Sequence, residues 1–172
     1  MIPVKILIAV HGHEPIGWVS EVPRLVAAHG FALCRVLMVL DTPAVAFTSV
    51  LPAARRRFAA ALAESRRLDE QRVSATVGAL IRSLPFPPEV RRVRVWRADP
   101  GRRIVAHAAL YPADVVIVGR DARSRLQRGG LTPVHERVVR LAGCAVLVAP
   151  ATLVSRTRLR IVQPTAPVED RA

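Results

Sequence analysis

Residues 119–133 read GRDARSRLQRGGLTP, and their types suit an anion better than any other ligand. A glycine follows an apolar run, then come Arg120, Arg123, Arg125 and Arg128 with Ser124 among them, and Gly129-Gly130 and Thr132-Pro133 close the segment. Guanidinium groups hold phosphate through paired hydrogen bonds. A glycine turn opening a helix adds backbone N–H groups and the positive end of the helix dipole. The outline is a strand leading through a phosphate loop into a helix, with arginine where glycine or a hydroxyl is usual. A solvated loop in an arginine-rich chain is the competing reading.

Other groupings offer less chemistry. His11-Gly12-His13 could bring two imidazoles near one ion, with His135 as a third, but no cysteine or carboxylate cluster completes a ligand set, so no metal is expected. No G-x-S-x-G turn occurs, and His29 and His107 fall in helical stretches where packing or surface roles are the default. No catalytic dyad emerges, and the chain is expected not to be an enzyme. Cys34 and Cys144 sit in or beside apolar runs and read as reduced thiols.

The net charge of +13 is almost wholly arginine, Lys5 being the only lysine. Such a balance invites an acidic partner, although arginine, alanine, valine and proline together are also what a GC-rich genome encodes. Aromatic residues total 4%, and no zinc-finger or RNP-type motif is present, so only non-specific electrostatic contact with nucleic acid is expected. No apolar run reaches membrane-spanning length, and MIPVKILIAV reads as a first strand rather than a signal peptide, which points to the cytoplasm.

The elements that must position these residues follow from periodicity. Continuous apolar runs at 5–10, 32–40, 114–119 and 144–150 suit strands buried on both faces, as in a parallel sheet covered by helices. EVRRVRVWR (89–97) alternates roughly and suits an edge strand. Helices are predicted over 15–29, ending at His29-Gly30 with Pro23 as a kink or first-turn residue, and over 52–84, with Val73, Val77, Leu80, Ile81 and Leu84 on the inner face. Asp99-Pro100 predicts a capped helix start running to about Tyr111, and Thr132-Pro133 repeats the signal before a helix ending at Gly143. The order β-α-β-α-β-α-β-α-β describes a single doubly wound α/β domain over 1–150. Residues 151–172 form a C-terminal extension, with a possible extra strand at 156–162 and then a disordered tail.

Over roughly residues 3–150 the sequence resembles the universal stress proteins (UspA-like). The runs that carry the resemblance are DPGRRIVAHAALYPADVVIVG and VHERVVRLAGCAVLVAP, with KILIAVHGHE and the strand ending MVLD matching less sharply. The resemblance implies a five-stranded parallel sheet in the order 3-2-1-4-5 with helices on both faces, of the adenine-nucleotide alpha-hydrolase-like type, and a non-catalytic regulatory role in stress response. With that order the winding reverses between the first and fourth strands, and His11, Gly12 and His13 would face Gly119, Arg120 and Asp121. It also implies a homodimer formed by antiparallel pairing of the strand at 144–149, an edge that TRLRIV could extend or cap.

ATP-binding members share a glycine, two residues, a second glycine, nine residues, then Gly-Ser or Gly-Thr, and an aspartate ends their first strand. Carried over by position, the first glycine is Gly119, the second is Ala122, the last pair is Thr132-Pro133, the aspartate is His11, and the adenine-side strand-2 position is Val39, which is kept. Ala122 adds a Cβ, Pro133 removes a hydroxyl and a backbone donor, and His11 is no carboxylate acceptor. The expectation is weakened or absent ATP binding. The alternative is ATP or another nucleotide, or a phosphate ligand, held by His11, Gly12, Val39, Gly119, Arg120, Ala122, Arg123, Ser124, Thr132 and Pro133, with the loop arginines in place of the glycine cradle.

Overall fold

The computed structural model describes residues 3–12, 14, 15, 17–28, 32–42, 52–96, 99–120, 132–149, 161 and 162. Strands β1 (Val4–Val10), β2 (Ala32–Thr42), β3 (Glu89–Trp96), β4 (Val115–Gly119) and β5 (Ala145–Ala149) alternate with helices α1 (Trp18–Ala27), α2 (Pro52–Ser83), α3 (Pro100–Leu110) and α4 (Val134–Leu141). The five strands are parallel and lie in the order 3-2-1-4-5. A sixth, β6 (Ile161–Val162), pairs antiparallel with β5 and occupies part of its outer edge. It falls at the end of the strand expected at 156–162, whose earlier residues lie outside those described, as does the expected tail.

The apolar runs are explained by burial on both faces. Ile6, Ile8 and Val10 of β1 pack with Trp18, Val22 and Val26 of α1 and Val73, Val77 and Leu80 of α2. The alternate residues Leu7 and Ala9 pack with Ile104 and Ala108 of α3 and Val134 and Val138 of α4. Successive side chains of a strand point to opposite faces, so a central strand covered on both sides must be apolar throughout. On β3, Val95 is buried while Arg91, Arg92 and Arg94 are exposed, as an edge strand requires.

Three helix boundaries depart from expectation or refine it. α1 starts at Trp18, after Trp18 N–H bonds the Pro15 carbonyl at 3.0 Å, and Pro23 lies inside it; the expected stop at His29-Gly30 lies outside the described residues. Asp99 caps α3 as expected, accepting from Gly101 N–H at 2.9 Å with Pro100 at the first position. Thr132 is not the cap of α4. Pro133 takes the cap position at φ −56 and ψ 144, one residue later than predicted, and supplies no side-chain acceptor.

Candidate functional site

Because the winding reverses between β1 and β4, their carboxyl ends open on the place where a doubly wound sheet takes ligands. Ala9 of β1 pairs with Val118 of β4, so continuing the register sets Val10 across from Gly119 and His11 across from Arg120, with Gly12 just beyond. His13 and Asp121, expected beside them, lie outside the described residues, as do Ala122, Arg123 and Ser124. Val39 is fully buried on the α3 and α4 face of β2, and Thr132 and Pro133 lead half-buried into α4.

Side chains of this same chain fill the space between the strand ends. The Glu14 carboxylate turns back on the loop that follows β1 and accepts from His11 N–H at 2.5 Å and from Gly12 N–H at 2.8 Å. It also lies 3.6 Å from His11 Nε2, and both side chains are only 2% exposed. Gly12 adopts φ +82, a left-handed conformation suited to glycine. Two consecutive N–H groups with such a residue form an anion-holding concavity, and here the anion is Glu14. Val73 of α2 presses on Gly12 from outside, its Cγ2 being 2.5 Å from where a Cβ would stand.

Gly119 is required for a different reason, close approach. A Cβ there would lie 2.7 Å from Trp18 Nε1 and 2.8 Å from Trp18 Cδ1, and would also meet Glu14 Cγ. The glycine that would let a phosphate near the backbone instead lets the indole and the glutamate near it. Trp18 is fully buried, and its Nε1 has no hydrogen-bond partner among the described residues. Arg120 N–H is committed to the Ala149 carbonyl at 3.1 Å, continuing the β4–β5 ladder, while the Arg120 side chain is exposed.

At the start of α4 the cationic side chain is already matched. Arg137 Nε lies 2.7 Å from Asp99 Oδ2 as an ion pair, tying the first turns of α3 and α4 together. Pro133 contributes no N–H to the end of α4, and no side chain caps it. The arrangement holds buried polar groups in mutual contact and places no nucleophile beside a base among the described residues.

Sequence reasoning missed Glu14 and Trp18. The signal for Glu14 was present: a glutamate three residues after His11, just before a helix, has the reach to turn back on upstream N–H groups. Trp18 had none, because a tryptophan in an amphipathic helix reads as core wherever it lies.

Comparison with known proteins agrees with this architecture. The universal stress protein family model matches residues 5–150. The universal stress protein UspA from Lactobacillus plantarum is similar in fold, with 19% identity, a TM-score of 0.52, and coverage of 87% of this chain and 99% of that one. A universal stress family protein from Burkholderia pseudomallei has 23% identity and a TM-score of 0.54, over 86% of this chain and 96% of its own. A universal stress protein solved in complex with cAMP has 20% identity and a TM-score of 0.50, over 88% of this chain and 100% of its own. No curated protein aligns significantly with the sequence. The strand order and the family match agree, and the chain belongs to the universal stress protein family.

Proposed function

We infer that this protein is a non-catalytic regulatory module of stress response whose ATP binding is weakened or absent. The observation that carries the reading is Glu14: its carboxylate occupies the loop N–H groups at the strand crossover, and it packs with Trp18 on Gly119. An incoming phosphate would meet a resident negative charge and a bulky indole, with no hydroxyl or N–H donor from Pro133 in return. The domain spans 1–150, with 151–172 as an extension, and its working compartment is the cytoplasm.

A second reading has its own support. Arg120 is exposed at the crossover, and a structurally similar universal stress protein holds cAMP, so a nucleotide or other phosphate ligand could be gripped from the rim by arginine. Isothermal titration with ATP, ADP, AMP and cAMP, with and without Mg²⁺, separates the two. No saturable heat at millimolar nucleotide is the result expected. Saturable binding that disappears in an Arg120→Ala/Arg123→Ala variant would replace the first reading with the second.

The assembly that fits is a homodimer at the β5 edge, since among the described residues β6 pairs with only Val146 and Leu147 of β5. Light scattering of the full chain tests this, and a monomer at micromolar concentration would refute it.

A further inference from the structure

The two ends of the parallel sheet differ in chemistry. β5 reads AVLVA and carries no charge, and β6 pairs antiparallel along part of it. β3 reads EVRRVRVW and, among the described residues, has a partner strand on one side only. Its eight residues pair with β2 in unbroken parallel register, from Glu89 with Arg35 to Trp96 with Thr42. Every second residue of such an edge strand directs its N–H and C=O away from the sheet. Edges are usually blunted by a short strand, a proline, a bulge or a covering segment. At eight residues β3 exceeds the usual length of about five to six. It contains no proline, its register has no bulge, and its side chains are exposed at 89–92 and 94. Among the described residues only charge guards it.

That charge is mostly of one sign. Side chains alternate between the two faces of a strand. Val90, Arg92 and Arg94 lie on the α2 side, where Arg94 Nη2 stands 3.5 Å from Glu70 of α2. Arg91 lies on the opposite side with Glu89, which accepts from Arg91 Nε at 2.7 Å and from Arg35 Nε at 2.8 Å. Glu89 is the one acid of the strand, and both of its oxygens are engaged. Arg92 forms no ion pair among the described residues, and the Arg94 side chain is 75% exposed beside Glu70. An exposed pair of that kind holds weakly, so Arg94 is free to turn to a better-placed carboxylate.

We propose that the β3 edge is a docking site for an extended acidic segment of another protein, which joins the sheet as a further strand beside β3. The ladder of backbone hydrogen bonds supplies affinity and is indifferent to sequence, while side chains at alternate positions supply the choice. On the α2 side the added strand sets one side chain against each of Val90, Arg92 and Arg94. An apolar residue and two carboxylates at alternate positions match them, since opposite charges across a strand pair attract. Val90 is 41% exposed and offers the apolar contact. A second copy of the chain is refused by the same rule. Two β3 edges would bring six arginines together with two glutamates, and like charges directly opposed destabilise a strand pair. Nucleic acid matches the charge but not the ladder, because its phosphates accept hydrogen bonds and offer no donor to the outward carbonyls of β3.

Fluorescence anisotropy with labelled eight-residue peptides, the length of β3, tests the assignment on the full chain at physiological salt. The probe carries glutamate at two alternate positions in a background of threonine and valine, and it should bind saturably. Lysine at those two positions should weaken binding about tenfold or more. So should N-methylation of every amide, which keeps the glutamates and removes the ladder. Arg92→Ala/Arg94→Ala should weaken the glutamate peptide about tenfold, and Arg92→Glu/Arg94→Glu should invert the preference in favour of the lysine peptide. Arg102→Ala/Arg140→Ala, an equal charge change at exposed positions of α3 and α4, should leave binding nearly unaltered. Urea midpoints near that of wild type show that the variants compared are folded. No binding at millimolar peptide, equal affinity for the N-methylated peptide, or equal loss in both alanine variants would overturn the proposal. Self-association of the chain that the peptide reverses would place a second copy on the edge instead. Capture of duplex DNA at physiological salt that is lost in Arg92→Ala/Arg94→Ala, without peptide binding, would assign the arginines to phosphate and overturn it as well.

Discussion

Replacing Glu14 by alanine tests the idea that a carboxylate of the chain itself closes the strand crossover. The wild-type side chain satisfies His11 N–H and Gly12 N–H at 2.5 and 2.8 Å, and it is 2% exposed. Its removal leaves two donors without their acceptor, each costing about 1–3 kcal/mol. Losing a buried charge returns part of that cost, because its desolvation disappears, and water entering beside Gly12 returns more. The expected net loss is about 2–4 kcal/mol. At about 2–4 °C per kcal/mol for a chain of this size, the thermal midpoint should fall by roughly 4–16 °C. Urea unfolding at neutral pH is the primary assay, read as a lower midpoint at unchanged slope. Glu14→Gln, which keeps the shape but turns one acceptor into a donor, should lose roughly half as much. Millimolar inorganic phosphate or acetate should stabilise Glu14→Ala saturably and leave the wild type unaffected, since the vacated N–H pair can take an outside anion. A loss below about 0.5 kcal/mol with no response to either anion would refute the closed crossover.

Two further outcomes follow from neighbouring residues. Gly119→Ala places a Cβ 2.7 Å from Trp18 Nε1, and since a buried indole cannot step aside the variant should lose about 1–3 kcal/mol in the same assay, whereas no loss would mean that Trp18 does not lie against β4. His107 has its pKa lowered, first by burial and then by the cations Arg103 and Arg35. The unfolded chain therefore takes up this proton first, and this part of the stability, present above about pH 6.5, is lost as the pH falls through the folded value. His107→Gln should flatten melting curves between about pH 7 and pH 5 relative to wild type, and identical pH profiles would show that the histidine is not held neutral.

Much of the fold could be read in the sequence because two-sided burial leaves a plain mark. The stretches 6–10, 36–40, 115–118 and 145–149 are apolar at every step since helices cover both faces, and the arginines at 91, 92 and 94 mark the sheet edge. The Asp99 cap was legible because it satisfies a donor two residues away in sequence. The start of α4 was misplaced by one residue because Thr-Pro suits either a cap with proline following or a proline cap, and propensity alone does not separate them. Val73, Val77 and Leu80 were legible as the inner face of α2, but the half-burial of Ala54, Phe58, Leu62 and Arg66 before them was not. An alanine- and arginine-rich helix has the same pattern whether its inner face is fully or only half covered.

At the crossover, the residue types determined what a phosphate would miss: a second glycine at Ala122, a donor at Pro133 and a carboxylate at His11. Those are properties of single positions, set by the presence or absence of a Cβ, an N–H or an ionisable oxygen. Only the tertiary structure decided what takes the phosphate's place. Trp18 reaches Gly119 because α1 packs across the β1–β4 junction, and Glu14 reaches two N–H groups because Gly12 turns through a positive φ under Val73. The contacts of Trp18 and Glu14 with Gly119, and of Val73 with Gly12, join residues far apart in sequence through the packing of two helices on one sheet, and their energies depend on distances that no local pattern encodes.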